Sequence, residues 1–273
     1  MTNIVALQFN GTSSPERNLS KIEDIIGANQ SSISEHSLVV LPECAAVFGC
    51  SGKTMYRHAE LVGDGPIQRA FAEMAKKYRI FLVAGSTPIL PSADSPRFYA
   101  TSILYGPDGD VLARYNKIHL FDVEVEDNTK SYRESSSTFH GSDVIKYTLP
   151  WTSLGMSICY DLRFSGLFNK LRPAKIVCVP SAFTQVTGNA HWHALLKARA
   201  IENQCYMVAA NQVGEHDDGR LTYGNSCIYS PWGELLSCIK TEEGVAVSDY
   251  NEKLVDDIRK KMPVFDHCME KYE

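Results

Sequence analysis

Short continuous runs of apolar residues, spaced between amphipathic helical patterns, most constrain the fold of this chain. Residues 38–41 (LVVL) and 176–179 (IVCV) are two such runs, bounded by polar residues or proline. Runs of this length are typical of strands buried on both faces. Between Ile67 and Tyr78, apolar residues recur three and four positions apart, which predicts a helix with one buried face. Strands that alternate with helices favour the α/β class, in which helices cover the sheets.

The same patterns predict most of the remaining elements. Strands are expected at 4–9, 80–85, 206–210 and 245–249, and helices after Ser14, at 165–171, at 191–203 and after Asn251. Two hairpins interrupt the alternation, with turns at 106–109 (GPDG) and 231–233 (PWG). Residues 121–141 are polar and are predicted to form a long loop of the kind that often carries function. We expect residues 1–273 to form a single domain.

Charge and cysteine content argue against several classes of protein. The formal net charge is −5 and the basic residues are scattered, so we expect no nucleic-acid partner and no anionic membrane surface. No apolar stretch approaches the roughly 18 residues of a membrane span. The eight cysteines are dispersed and form no C-x-x-C pair, which predicts reduced thiols and a cytoplasmic location. No signal or transit peptide is evident at the N-terminus, and a mitochondrial pool is left open.

Three residues whose side chains could take part in catalysis each follow a predicted strand. Glu43 comes directly after the apolar run at 38–41, Lys117 follows the second strand of the first hairpin, and Cys159 ends an apolar stretch before a charged turn. Each alone is usually structural, as a solvated turn carboxylate, a surface cation or a core thiol. Strands that end at one edge of a sheet bring such residues together, so we expect the three side chains to meet.

The motifs around these residues resemble those of the nitrilase-type carbon–nitrogen hydrolases. They are LPE at 41–43, YNKIHLFD at 115–122 and ICYDLRF at 158–164, and the similarity runs from Ile4 to about Phe265. The resemblance implies a four-layer α-β-β-α sandwich and a homodimer. It also implies a catalytic triad of Glu43, Lys117 and Cys159, with Glu134 as an additional glutamate beside it, and no metal or cofactor.

Further segments are similar to one group in that superfamily, the deaminated-glutathione amidases: SYRES at 131–135, PSAFTQVTGNAHW at 180–192, KARAIENQCY at 197–206 and MPVF at 262–265. This resemblance implies a small anionic amide of an α-keto acid as the substrate. An omega-amidase acting on α-ketoglutaramate is the nearest alternative; a nitrile hydrolase, an N-acyl transferase and a non-enzymatic binding protein are weaker ones. The chain departs from the usual pattern at Ser165-Gly166, Asn225 and Ser230, which affects the expected pocket wall more than the triad.

The residue types fit amide hydrolysis on chemical grounds. Opening an amide needs a nucleophile, a base that returns its proton to the departing amine, and a cation facing the developing oxyanion. Cys159 is expected to attack, Glu43 to act as base and then acid, and Lys117 with the Tyr160 N–H to hold the oxyanion. The products are a thioester and an amine, and water activated by Glu43 then releases the acid. Glu134 could orient Lys117 or the leaving amine. Alternatively, it could be purely structural.

Arg163 is the candidate for binding a substrate carboxylate, because a guanidinium matches a carboxylate with two parallel hydrogen bonds. Phe183 and Thr187 are expected to line the substrate pocket or the core. Asp161 is interpreted as structural, capping the next helix, and Arg163 could instead pair with it.

Several other patterns are interpreted as structural. His191 and His193 lie on different helical faces without an acidic ligand at the right spacing, which argues against a metal site. Arg199 and Glu202 are expected to form an ion pair within one helix. The stretch GCSGKT at 49–54 ends like a phosphate-binding loop, but Val47 stands where the motif needs glycine. No G-x-S-x-G nucleophile elbow is present.

Overall fold

The computed structural model describes residues 2–127, 129 and 131–269. The strands in this part of the chain are β1 (Asn3–Gln8), β2 (Leu38–Val40), β3 (Glu60–Leu61), β4 (Phe81–Val83), β5 (Thr87–Leu90), β6 (Phe98–Tyr105), β7 (Val111–Asn116), β8 (Asp122–Glu124), β9 (Ser131–Arg133), β10 (Thr138–Phe139), β11 (Lys146–Leu149), β12 (Thr152–Met156), β13 (Ile176–Ser181), β14 (Tyr206–Asn211), β15 (Val213–Glu215), β16 (Leu221–Tyr223), β17 (Ser226–Tyr229), β18 (Leu235–Ile239) and β19 (Gly244–Asp249). The helices are α1 (Pro15–Ala28), α2 (Gly52–Arg57), α3 (Pro66–Tyr78), α4 (Ser165–Leu171), α5 (Gln185–Asn203), α6 (Glu252–Lys261) and α7 (Val264–His267), with 3-10 turns at Glu134–Ser136 and Cys159–Arg163.

Two main sheets organise the molecule. The larger sheet has the strand order β19-β1-β2-β4-β6-β5-β3, with β7 and β10 also paired to β6. The second sheet has the order β11-β12-β13-β14-β17-β18. In each sheet the central strands are parallel, namely β1, β2 and β4 in one and β12, β13 and β14 in the other. Helices connect these parallel strands, because a parallel pair needs a crossover rather than a tight turn.

The larger sheet is buried on both faces. Along β1, Ile4 and Ala6 belong to the core between the two sheets, whereas Val5 and Leu7 pack with α1 and α3 on the opposite face. This alternation follows from the two-residue period of a strand. The sheets meet where β1 packs against β14 and β2 packs against β13.

Helices cover the outer face of the second sheet. Trp192 and Ala200 of α5, with Val255 of α6, join the same apolar cluster as Val177 of β13. The layers are therefore α1 and α3, the larger sheet, the second sheet, and then α4, α5 and α6. The predicted α-β-β-α sandwich is confirmed.

Most helix starts and hairpins lie where the sequence predicts them. Ser14 caps α1 through the Arg17 N–H (3.4 Å), and Asn251 caps α6 through the Leu254 N–H (3.3 Å). Both predicted hairpins form, as β6–β7 and β17–β18. In the described part of the chain no helix has the length and apolar character needed to cross a bilayer.

Two predictions of local structure need correction. Helix α5 begins at Gln185, six residues before the predicted start at His191. The segment 121–141 is not one loop: β8 pairs with β9 there, and β10 joins the larger sheet beside β6. The stretch at 49–54, whose sequence argues against a phosphate-binding loop, leads into α2, which Ser51 caps through the Thr54 N–H (3.2 Å).

Candidate active site

Glu43 lies just past the end of β2 and is fixed from both sheets. Its N–H donates to the carbonyl of Ser181 at the end of β13 (3.3 Å), and Gln212 Nε2 donates to the carbonyl of Glu43 (3.0 Å). The residue is only 5% exposed. Hydrogen bonds from the Glu43 backbone to Ser181 and Gln212 therefore hold the end of β2 against the second sheet and position this carboxylate, which is not a solvated turn residue.

Lys117 lies directly after β7 and points into the same buried space. Its N–H donates to the carbonyl of Ala100 (3.0 Å), and its carbonyl accepts from the Gly141 N–H (2.7 Å). The ammonium Nζ donates to Glu43 Oε1 (2.7 Å) and to Glu134 Oε2 and Oε1 (2.8 and 3.1 Å). An ammonium has three N–H groups, so Lys117 can face a further oxygen only when the two Glu134 oxygens share one of its N–H groups.

The two carboxylates determine the ionisation of this lysine, which is 1% exposed. Burial alone would lower the pKa of Lys117, but the charges of Glu134 and Glu43 outweigh it and raise the pKa well above its usual value. A buried ammonium is tolerated only when it is paired and hydrogen-bonded. Lys117 is therefore a fixed positive charge at neutral pH.

Glu134 completes this charged group from the 3-10 turn at Glu134–Ser136. Its Oε2 accepts a hydrogen bond from the Phe121 N–H (2.7 Å) as well as from Lys117. Burial raises the pKa of the Glu134 carboxyl; Lys117 counteracts this rise, and neighbouring Glu43 adds to it. The carboxylate bridges Lys117 to a backbone N–H in the segment before β8.

Cys159 is the first residue of the 3-10 turn that follows β12. Its φ is +48°, a left-handed conformation that is uncommon for a residue with a side chain and often marks functional sites. The Glu43 carboxylate and the Lys117 ammonium are close enough to act on the ionisation of the thiol, and the three residues line one cavity. Burial and then the charge of Glu43 raise the pKa of the thiol well above its usual value, although Lys117 opposes them.

The predicted meeting of Glu43, Lys117 and Cys159 is observed, but its geometry differs from the expected one. Glu43 and Lys117 follow strands of the larger sheet, whereas Cys159 follows a strand of the second sheet. The residues do not lie along one sheet edge. They converge because the two sheets pack face to face and the three strands end at the same end of the sandwich.

Asp161 connects the strand end that carries Cys159 to the one that carries Lys117. Its Oδ2 accepts from the Tyr115 hydroxyl (2.6 Å) and the Ile158 N–H (2.9 Å). Its Oδ1 accepts from the His119 N–H (3.0 Å) and contacts His119 Nδ1 (2.7 Å). Asp161 is fully buried. It is structural as predicted, but it ties the two segments together and does not cap α4 or pair with Arg163.

A cavity of about 250 Å³ opens onto this group. Its volume is near the low end for ligand sites, which suits a small metabolite. Its walls combine aromatic rings, small hydroxyl side chains and arginines; they include Glu43, Cys44, Phe48, Cys50, Ser86, Lys117, Phe121, Tyr132, Arg133, Glu134, Cys159, Tyr160, Arg163, Phe183, Thr187 and Arg220.

The residues predicted to bind substrate all line this cavity. The Arg163 guanidinium lies over the rings of Tyr160 (5.8 Å) and Phe183 (5.4 Å), and its Nη1 lies 3.3 Å from His191 Nδ1. Phe183 is 4% exposed and also belongs to the core. Thr187 sits in the first turn of α5, with its hydroxyl 2.9 Å from that of Thr184.

The residues interpreted as structural occupy other environments. His193 Nδ1 lies 2.9 Å from the Tyr229 hydroxyl, away from His191. The predicted ion pair forms between Arg199 and Glu202 (2.8 Å). Among the described residues, no group of three histidine, cysteine or acidic side chains could hold a metal ion.

Sequence comparison identifies the family to which this arrangement belongs. The profile of the carbon–nitrogen hydrolase family matches residues 4–260. The chain belongs to the carbon–nitrogen hydrolase family. A deaminated glutathione amidase of Yersinia enterocolitica is 41% identical over 97% of this chain and 92% of its own length. The omega-amidase NIT2 of Homo sapiens is 35% identical over 84% of this chain and 81% of its own length.

Solved structures of carbon–nitrogen hydrolases share the fold. The NitFhit protein of Caenorhabditis elegans superimposes with a TM-score of 0.87 at 32% identity, covering 98% of this chain and 65% of that longer one. The predicted fold and the predicted hydrolase class are therefore both confirmed for this carbon–nitrogen hydrolase.

Sequence reasoning missed two features of the site. The Asp161 network and the position of Arg220 both depend on contacts between segments far apart in sequence. The only sequence signal for Asp161 was its position two residues after Cys159. Arg220 had no signal, because it lies in an ordinary polar turn.

Proposed function

We propose that this carbon–nitrogen hydrolase cleaves the amide bond of deaminated glutathione. The observation that carries the chemistry is the position of the Cys159 thiol beside the Glu43 carboxylate in one cavity, with that carboxylate paired with Lys117 (2.7 Å). A nucleophile, a base in contact with its proton and an adjacent cation are what amide cleavage requires. The 41% identity to a deaminated glutathione amidase over nearly the whole chain supports the substrate.

The proposed reaction has two halves. In the first, Cys159 Sγ attacks the amide carbonyl carbon as Glu43 takes the thiol proton, and the oxyanion is stabilised by Lys117 and the Tyr160 N–H. Glu43 then gives its proton to the amide nitrogen, the C–N bond breaks, and the amine leaves behind a thioester on Cys159. In the second half, Glu43 deprotonates water, which attacks the thioester carbonyl. The intermediate then collapses, the C–S bond breaks, and Glu43 returns the proton to the departing sulfur, which releases the carboxylic acid and restores the thiol.

Glu134 acts in this scheme by positioning Lys117. It makes two contacts to the ammonium and is anchored by the Phe121 N–H, so its carboxylate keeps the cation beside the oxyanion. Arg163, on the same turn as the nucleophile, receives the carboxylate of the α-keto acid half of the substrate. Phe183 and Thr187 form the wall beside it.

An omega-amidase acting on α-ketoglutaramate is the second candidate, supported by the 35% identity to the human enzyme. Both substrates yield the same acid, α-ketoglutarate, so one assay of α-ketoglutarate release compares them directly. We expect a higher kcat/KM on deaminated glutathione. A higher value on α-ketoglutaramate would reverse the assignment, and no turnover of either would refute amide hydrolysis of this class.

The nucleophile is tested with a matched pair of thiol variants. Cys44 also lines the cavity and directly follows Glu43, so Cys44→Ala controls for loss of a thiol near the base. We expect Cys159→Ala to lose turnover entirely and Cys44→Ala to retain it. A thioester to Cys159, trapped by rapid quench and located by peptide mass spectrometry, is expected in the wild type.

We further propose that the enzyme is a cytoplasmic homodimer, with α5 and the β17–β18 hairpin at the interface. Trp232, Leu235 and Ile201 are 58%, 49% and 42% exposed, more than expected for large apolar side chains on a free surface. Gly233 brings the hairpin against Ile201, where a Cβ at residue 233 would fall 2.6 Å from Ile201 Cγ1. All eight cysteines are free thiols, which suits a reducing compartment.

Light scattering after size-exclusion chromatography tests the assembly. We expect twice the chain mass for the wild type and a monomer for Leu235→Glu. Val111→Glu, at a similarly exposed apolar residue of the other sheet, is the control and should stay dimeric. A wild-type monomer at micromolar concentration would contradict the proposal.

A further inference from the structure

A tight hairpin between β15 and β16 places Arg220 at the wall of the cavity. The turn is closed by the Gly219 N–H, which donates to the carbonyl of His216 (2.8 Å), and by the His216 N–H, which donates to the carbonyl of Arg220 (3.0 Å). His216 is itself buried between Gly11 and Thr222, through hydrogen bonds of 2.8 and 2.7 Å. The hairpin is therefore anchored in the body of the protein, and Arg220 is not on a loose surface loop.

Two aromatic rings from other elements hold the Arg220 guanidinium. It lies 5.0 Å from the ring centroid of Phe48 and 5.3 Å from that of Tyr132, and all three residues line the cavity. The side chain is 24% exposed. Stacking on aromatic faces fixes the plane of a guanidinium and leaves its edge free to donate hydrogen bonds.

The hydrogen-bonding capacity of Arg220 is only partly used. Among the described residues, its one carboxylate partner is Asp218 at 3.2 Å, and its buried Nε has no acceptor. A guanidinium has five N–H donors, and enclosed donors without a partner are unfavourable. A carboxylate ligand in the cavity would supply the acceptors that Asp218 does not.

The distribution of charge in the cavity favours an anion at this position. At the reacting end, Glu43 and Glu134 outnumber Lys117, so a substrate carboxylate is repelled there. Arg163 stands over Tyr160 and Phe183, whereas Arg220 stands over a different pair of rings on other elements. Besides Arg133, which pairs with Glu124 (3.4 Å), the cavity thus has two separately mounted guanidinium groups.

We propose that Arg220 binds the carboxylate of the leaving-amine half of the substrate and so selects amides that carry two carboxylates. This inference rests on the proposed function. Arg163 lies on the same 3-10 turn as Cys159, and Cys159 becomes bonded to the acyl half of the substrate, so we assign the α-keto acid carboxylate to Arg163. Deaminated glutathione has a second carboxylate at its glycine end, and α-ketoglutaramate does not. Arg220 therefore distinguishes the two substrates.

The test is a comparison of substrates on wild type and Arg220→Gln. The readout is α-ketoglutarate release from deaminated glutathione, from its C-terminal carboxamide and from α-ketoglutaramate. We expect the kcat/KM for deaminated glutathione, divided by the kcat/KM for its carboxamide, to fall by about 10- to 100-fold in the variant because a charge-assisted pair is lost. Most of the change should be a higher KM for deaminated glutathione. A merely structural arginine would lower all three rates together and leave the ratios unchanged, and that result would overturn the inference.

Arg69→Gln is the matched control, because Arg69 also pairs with a nearby aspartate, Asp64 (3.1 Å), but does not line the cavity. It should leave the substrate ratios at their wild-type values.

A second readout separates this inference from the proposed function. The product dipeptide cysteinylglycine should inhibit hydrolysis of α-ketoglutaramate competitively, its C-terminal amide should inhibit more weakly, and Arg220→Gln should remove the difference. If the wild type does not turn over deaminated glutathione, the proposed function fails, and equal inhibition by the two dipeptides would refute the role of Arg220 as well.

Discussion

Replacement of Asp161 by asparagine is the perturbation whose consequences the structure defines most closely. Four donors converge on this carboxylate: the Tyr115 hydroxyl, the Ile158 N–H, the His119 N–H and His119 Nδ1. Asparagine offers one oxygen and one NH₂ group in the same space. If the NH₂ replaces Oδ2, Tyr115 can turn to accept but the Ile158 N–H loses its partner. If it replaces Oδ1, the His119 ring can accept but the His119 N–H loses its partner.

Either orientation therefore leaves one buried backbone N–H unsatisfied. Such a group costs about 1–3 kcal/mol, and the bonds that remain lose their assistance from a full negative charge. We expect the free energy of unfolding to fall by about 2–4 kcal/mol. At about 2–4 °C per kcal/mol for chains near this size, the Tm falls by roughly 5–15 °C. Because the segments of Lys117 and Cys159 are both held by Asp161, kcat should fall as well.

Urea unfolding followed by circular dichroism measures the stability, and hydrogen exchange by mass spectrometry locates the change. Exchange should accelerate in the peptides that contain Ile158 and His119. Tyr115→Phe is the control, because it removes one donor to Asp161 and, on the backbone, frees only the half-buried Ile118 N–H, whose bond to the Tyr115 hydroxyl is long (3.4 Å); it should cost less than Asp161→Asn. An Asp161→Asn variant as stable as Tyr115→Phe, with unchanged exchange in both segments, would show that the reasoning is wrong.

Three further predictions concern the charged group around the nucleophile. Glu43→Gln removes a negative charge that raises the pKa of Cys159. The pH profile for alkylation of Cys159 by iodoacetamide should therefore shift to lower pH, and amide turnover should be lost. An unchanged or upward-shifted alkylation profile would contradict this. Glu134→Gln removes one of the two carboxylates that raise the pKa of Lys117, and kcat should fall by about 10- to 100-fold with a smaller change in KM; a change confined to KM would argue for a role in substrate binding. Lys117→Met removes the cation that counteracts the raised pKa of Glu134, so the pKa of this carboxyl should rise further in the folded variant. The stability deficit relative to wild type should therefore grow as pH rises above the raised pKa of Glu134 in the folded wild type, and should shrink below it. Urea midpoints measured between pH 4 and 8 test that sign, and a constant deficit would count against it.

The elements that the sequence predicts correctly are those determined by local patterns. The Ser14 cap, the Pro66 start of α3 and the turn at 106–109 each require only neighbouring residues to form. Helix α5 shows the limit of this reasoning. Its first turns contain Thr187 and Gly188, which have low helix propensity. They are helical because Thr184 caps them and because Gly188 packs so closely on β16 that a Cβ would fall 2.3 Å from Tyr223 Cβ.

The candidate site was predictable in its composition but not in its architecture. The motifs indicate Glu43, Lys117, Cys159 and Glu134, and the structure brings all four side chains together. Their catalytic roles stay predictions, as do the single domain and the homodimer. That two sheets supply the residues, and that Asp161 joins their segments, depends on contacts between residues more than 40 positions apart, such as Tyr115 and Asp161. No local pattern encodes such contacts.

The charge of the buried group determines how the nucleophile must work. Glu43 and Glu134 with one Lys117 carry a net charge of about −1, and a thiolate would make it −2 in a site with little water. The thiol is accordingly protonated before reaction, as its raised pKa indicates, and does not form the ion pair of a cysteine–histidine enzyme. In the proposed reaction, attack then proceeds only as Glu43 removes the proton. The proton neutralises the carboxylate at the moment when negative charge reaches the substrate oxygen beside Lys117. The net charge of the site stays constant through the step, and the unfavourable doubly negative state never forms.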